Sequence, residues 1–115
     1  MNETKVAITS TGKDLNSEVD SVFGRCPYFI IAEIENKKII RIESVKNISA
    51  GQMGGAGISA AQSVAEKNVN VVITGNVGPR ALDVLRQFNI EIYSGTGLVK
   101  EVLQNFIEGK LKKIQ

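Results

Sequence analysis

The sequence predicts a single α/β domain spanning residues 1–115, a mixed five-stranded sheet in the order βββαβαβα with helices packed on it. Three observations predict it. Five short runs rich in Ile, Val and other strand-forming residues are separated by polar or glycine-bearing turns. After the third, fourth and fifth runs, apolar residues recur at helical spacing. The composition, 43% hydrophobic and 23% charged over 115 residues, is that of one globular unit. A chain of this length buries roughly two-thirds of its unfolded surface, enough for a core without staples.

The first strand is Val6-Ala7-Ile8-Thr9, a short run closed by Ser10-Thr11-Gly12, and a polar loop follows to about Phe23. Tyr28 to Ile34 forms the second strand and Lys38 to Val45 the third. The polar break Glu35-Asn36-Lys37 joins them as a hairpin. Asn47 to Gly57 is rich in Gly and Ser, and Ile58, Ala61, Val64 and Ala65 then mark the first helix. Val71 to Thr74 is a buried-type strand. Gly75-Asn76-Val77-Gly78-Pro79 turns into the second helix, with Pro where a helix can begin and an apolar stripe of Ala81, Leu82, Leu85 and Phe88. Ile90 to Tyr93 is the fifth strand. Ser94-Gly95-Thr96-Gly97 opens the third helix, whose inner face is Val99, Val102, Leu103 and Phe106. The core runs from about residue 5 to 107, and residues 108–115 form a polar tail. A hairpin followed by right-handed crossovers makes the later strands parallel to the first. This architecture is ribonuclease H-like, a name that carries no activity with it.

Charge and composition exclude several classes of function. A net charge of +2, with Lys110, Lys112 and Lys113 as the one basic cluster, lacks the basic stripe or interleaved aromatics of a nucleic-acid binder. No apolar run approaches a membrane span. Met1-Asn2-Glu3-Thr4-Lys5 shows no signal-peptide pattern, and a single cysteine, Cys26, suits a reducing compartment. The expected location is cytoplasmic, as a monomer or homodimer. Without histidine, neutral-pH proton transfer loses its commonest agent, no Ser-His-Asp set can form, and an ordinary zinc site lacks its ligands. The first strand carries no acid, so a two-metal nuclease site is not expected. The chain is read as a non-enzyme.

The strand directions then say where a ligand would sit. The first, third, fourth and fifth strands share a direction, so segments 11–23, 47–57, 75–79 and 94–97 gather at one edge, where open α/β sheets bind ligands. Three of these segments are glycine-bearing turns leading into helix N-termini, whose first N–H groups have no internal partner and whose dipole favours an anion. The candidate binding residues are Gly54, Gly55, Ala56, Gly57, Gly75, Asn76, Gly78 and Thr96, with Arg25 beside them. Cys26, next to Arg25, is the candidate metal ligand, because a neighbouring cation favours the thiolate. No turn matches a Walker A or G-x-G-x-x-G pattern, so neither ATP nor NAD is expected.

These same residues carry a family resemblance. The segment from Ser17 through Phe23-Gly24-Arg25-Cys26-Pro27 to Phe29 resembles the loop-to-second-strand signature of the dinitrogenase iron–molybdenum cofactor biosynthesis family. Gly54-Gly55-Ala56-Gly57-Ile58, Val71-Val72-Ile73-Thr74-Gly75, Gly78-Pro79-Arg80-Ala81 and Leu85 are similar to its remaining landmarks, in order from about Lys5 to Phe106. The resemblance implies a carrier or binding domain for an anionic metal–sulfur cluster, the iron–molybdenum cofactor or a related molybdenum or iron–sulfur cluster. It would act in cofactor assembly or delivery beside cluster-assembly proteins. Some members hold the cofactor with histidine; here only Cys26 offers a strong thiolate. The alternatives are a small-anion or phosphometabolite-binding regulatory module, and an interaction domain without metal.

Overall fold

The computed structural model describes residues 3–114. Met1 and Asn2, part of the stretch searched for a signal-peptide pattern, and Gln115, which ends the polar tail, lie outside the described residues. Strand β1 is Glu3–Ser10, β2 Tyr28–Glu35 and β3 Lys38–Lys46; helix α1 is Ala56–Glu66. Strand β4 is Val71–Thr74, α2 Pro79–Gln87, β5 Glu91–Ser94, α3 Val99–Ile107 and β6 Lys112–Lys113. The sheet order is β3-β2-β1-β4-β5-β6. The hairpin is antiparallel to β1 through β2, and β4 and β5 lie parallel to β1 and β4 respectively.

The described sheet therefore has six strands, not the five the sequence suggests. The sixth comes from the polar tail, which turns at Gly109 and pairs Lys112 and Lys113 with Ser94 and Tyr93. Ile114 N–H donates to the Ile92 carbonyl at 2.7 Å, and Lys113 Nζ reaches Glu91 at 3.3 Å. Two lysines carry no apolar alternation. Their strand exists because the backbone of β5 has a free edge, a cause that side-chain periodicity does not register.

Two apolar layers flank the sheet. Ala7, Ile31, Val72 and Ile92 pack against Ala60, Ala61 and Val64 of α1 and Ala81 and Leu85 of α2. On the opposite face Val6, Ile8, Ile30 and Ile73 pack against Val99, Val102 and Leu103 of α3. Burial on both faces is why β1 and β4 read as unbroken apolar runs. At the outer edge β3 is exposed along nearly its whole length. It carries a register shift opposite Glu33/Ile34, a device that discourages edge-to-edge association, although Ile39, Ile40 and Ile42 are exposed on it.

Because β1, β3, β4 and β5 run the same way, segments 11–27, 47–55, 75–78 and 95–98 all leave the sheet at one edge. The two-residue turn between β2 and β3 lies at the other.

Candidate anion site

Close backbone contacts assemble the rim. A Cβ built on Gly75 would lie 2.7 Å from Ser21 Cα, so the turn after β4 presses directly on the loop after β1. Phe23 N–H donates to the Asn76 carbonyl at 2.9 Å across the same junction. Gly57 meets Gly24 on one side, and its own added Cβ would be 3.3 Å from Ala81 Cβ on the other. Helices α1 and α2 thus start side by side, on one face of the sheet.

Between their first turns lies an open cleft of about 400 Å³, within the range of roughly 300–1,000 Å³ usual for small-ligand sites. Of the residues singled out in the sequence, Arg25, Gly55, Ala56, Gly57 and Gly78 line it. Val22, Phe23, Ile58, Pro79, Arg80 and Ala81 complete its walls. Neither helix start has a side-chain cap: Gly55 is the N-cap of α1, at φ 71°, and Gly78 that of α2. The first helical bonds are Ser59 N–H to the Gly55 carbonyl and Leu82 N–H to the Gly78 carbonyl. The N–H groups of Ala56, Gly57, Ile58, Arg80 and Ala81 consequently have no hydrogen-bond partner among the described residues. Two uncapped N-termini and two arginines border one space, and the chemistry they offer is attraction of negative charge.

Arg80, an exposed side chain without an ion pair or hydrogen bond among the described residues, escaped the site prediction from sequence. Its signal was available: it follows the N1 proline, where a helix start places a cation beside free N–H groups. Arg25 is held differently. Its Nη1 donates to the Ala50 carbonyl at 3.0 Å and to the Gln52 carbonyl.

The remaining predicted residues fall outside the cleft lining. Gly54 lies in the exposed loop before α1 with open space around it. Gly75 and Asn76 sit in the adjoining turn, where the Asn76 side chain accepts from Val77 N–H at 2.9 Å. Thr96 is separated by topology: its turn feeds α3, which packs on the opposite face of the sheet. There the α3 start is already stoppered, since Val99 and Lys100 N–H donate to the Ser17 and Leu15 carbonyls at 2.8 and 3.0 Å.

Cys26 is free and wholly buried, in the layer with Phe23, Phe29 and Ala7. Asn47 Nδ2 bridges beneath it, donating to the Gly24 and Cys26 carbonyls at 3.0 and 2.8 Å and approaching the sulfur at 3.8 Å. Burial, reinforced by the charge of Asp20, pushes the thiol from 9.0 up to about 11. At neutral pH it is protonated, and in this conformation it offers no thiolate to the cleft. Among the described residues, no three His, Cys, Asp or Glu side chains come together as a metal-binding group. Also among those residues, no helix is long and apolar enough to cross a membrane.

Residues 4–109 match the family model described as dinitrogenase iron–molybdenum cofactor. An uncharacterized protein of Methanocaldococcus jannaschii is 38% identical over 101 residues, covering 87% of this chain and 86% of the relative. Among solved structures, the apo orange protein from Desulfovibrio gigas superposes with a TM-score of 0.87 at 33% identity, over 96% of this chain and 92% of that one. A Thermotoga protein named as a NifB candidate gives a TM-score of 0.83 at 36% identity, over 96% and 93%.

Proposed function

The chain belongs to the dinitrogenase iron–molybdenum cofactor family, and from that premise we propose that it is a non-catalytic carrier of an anionic metal–sulfur cluster. The cargo would be the iron–molybdenum cofactor or a related molybdenum or iron–sulfur cluster, held during cofactor assembly or delivery. One observation supports this above the others: two uncapped helix N-termini meet at a single cleft flanked by Arg25 and Arg80. Unpartnered N–H groups and guanidinium donors suit the sulfide and oxo ligands that carry a cluster's negative charge. The ribonuclease H-like order of the first five strands belongs to the same reading.

The donor set fits the charge of such a cargo better than it fits metal ligation. With Cys26 buried and protonated, the cluster would be held through its outer atoms. A direct Cys26–metal bond requires segment 24–27 to open. The residues do no chemistry in this account: they bind, orient and release.

Anaerobic incubation with iron, molybdate and sulfide tests the proposal. A coloured, metal-containing protein whose chromophore is held about tenfold more weakly on Arg80→Ala is the expected result. A colourless, metal-free product under every condition would overturn it. A site built on charge also suits a small oxyanion, so stabilisation by phosphate in a thermal-shift series, without any effect of metal and sulfide, would favour the regulatory-module reading instead.

A further inference from the structure

Arg25 occupies a position that the binding reading alone does not explain. Beyond Ser49, which is buried, the loop entering α1 is poorly anchored. Met53 is 97% exposed, and Gly51 and Gly54 have open space where a side chain would be. Its internal bonds are local: Ala50 N–H to the Asn47 carbonyl at 3.2 Å, Gln52 N–H to the Ser49 carbonyl at 3.0 Å, and Gln52 Nε2 to the Gly54 carbonyl at 2.6 Å. Among the described residues, the only hydrogen bonds tying segment 50–55 to a distant part of the chain are the two that Arg25 Nη1 donates to the Ala50 and Gln52 carbonyls.

The same residue lines the cleft. A guanidinium presents its donors as a planar fork, and one edge, Nε with Nη2, can grip two oxygens or sulfurs at once. In Arg25 that edge has no partner among the described residues, because the loop uses Nη1 alone. The loop carbonyls thus hold a long, otherwise mobile side chain in place while leaving its bidentate edge whole.

We propose that segment 50–55 is a positioning element for Arg25, so that an anion gripped by Arg25 in the cleft orders this loop. The inference rests on the anion-site reading above and adds the coupling to it. Coupling of this kind is reciprocal: whatever affinity the anion gains from a preset Arg25, the loop gains in order when the anion is present. Arg25 is a binding residue here, and the Ala50 and Gln52 carbonyls are its positioning groups.

Amide exchange of Ala50 and Gln52, followed by NMR with Val72 in β4 as a fold control, tests it. Tetrathiomolybdate and orthophosphate serve as separate probes, with binding measured independently by calorimetry. In the unmodified protein, saturating probe should slow exchange at Ala50 and Gln52 by roughly tenfold, the scale of one hydrogen bond to a charged group. Arg25→Gln should speed exchange at both amides without probe and abolish the slowing with it, while Val72 is unchanged. Arg25→Lys, which keeps the charge but not the fork, should retain part of the affinity and lose the slowing. A probe that binds while leaving both amides unaltered overturns the coupling and leaves the anion site standing. Unchanged exchange in probe-free Arg25→Gln overturns the positioning role. Failure of both probes to bind removes the anion site and the coupling together.

Discussion

Gly24 and Gly57 meet backbone to backbone at the mouth of the cleft: a Cβ on Gly24 would stand 2.8 Å from the Cα of Gly57. The contact joins the loop entering β2 to the first turn of α1, and so fixes Arg25 beside the α1 N-terminus. Gly24 also has φ +99°, where a side chain is strained. Strain and overpacking each cost about 1–3 kcal/mol, so Gly24→Ala should lose about 3 kcal/mol in denaturant unfolding and weaken anion binding. Gly51→Ala, with open space at its Cβ and no left-handed φ, should change stability by less than about 0.5 kcal/mol.

Arg80 separates affinity from stability. It is exposed and carries no hydrogen bond or ion pair among the described residues, so Arg80→Ala should leave the unfolding midpoint almost unchanged. Anion affinity should fall about tenfold, the scale of one charge-assisted hydrogen bond. The loss should shrink as ionic strength rises, because an exposed cation is screened beyond about 8 Å in physiological salt. Calorimetric titration at two salt concentrations checks both parts.

The β2–β3 hairpin turns through Asn36 and Lys37, at φ 53° and 65°. Both residues lie in the left-handed region, the signature of a turn that favours Asn followed by Gly. Lysine therefore sits where its Cβ is strained. Lys37→Gly should raise stability by about 0.5–1 kcal/mol and Tm by a few degrees. A thermal melt with an unchanged or lowered midpoint contradicts this account of the turn.

Much of this arrangement was legible in the sequence, and the exceptions have physical causes. Strand directions follow from a hairpin plus helical crossovers, so the gathering of segments 47–55 and 75–78 at one edge could be deduced. Which face each helix takes could not, and that is what removes Thr96 from the cleft: α3 crosses to the side opposite α1 and α2. Glycine patterns carry two meanings that a sequence does not separate. Gly75 admits neighbouring backbone and Gly57 the Ala81 side chain, whereas Gly54 and Gly78 face open space. The sixth strand was invisible because Lys112 and Lys113 join the sheet through main-chain pairing alone. Arg25 drew attention as a cation beside Cys26, yet its partners prove to be Ala50 and Gln52, residues 25 and 27 positions away.

Cys26 supplies a prediction whose sign follows from its burial. Desolvation raises the folded-state value to about 11 from 9.0, so the folded chain keeps the proton that the unfolded chain releases first. Stability from this group is fully present below pH 9 and falls as pH rises from 9 towards 11, because the unfolded state then binds fewer protons. The loss should approach roughly 2–3 kcal/mol, two units at 1.36 kcal/mol each, and should be absent from the pH–stability curve of Cys26→Ala. The same burial predicts that a thiol reagent at pH 8 leaves the folded protein unlabelled and reacts once urea unfolds it. Rapid labelling of the folded chain would show that segment 24–27 opens readily. That opening is also what a direct Cys26–metal bond requires, so one labelling rate decides whether the sulfur can be a ligand or stays part of the core.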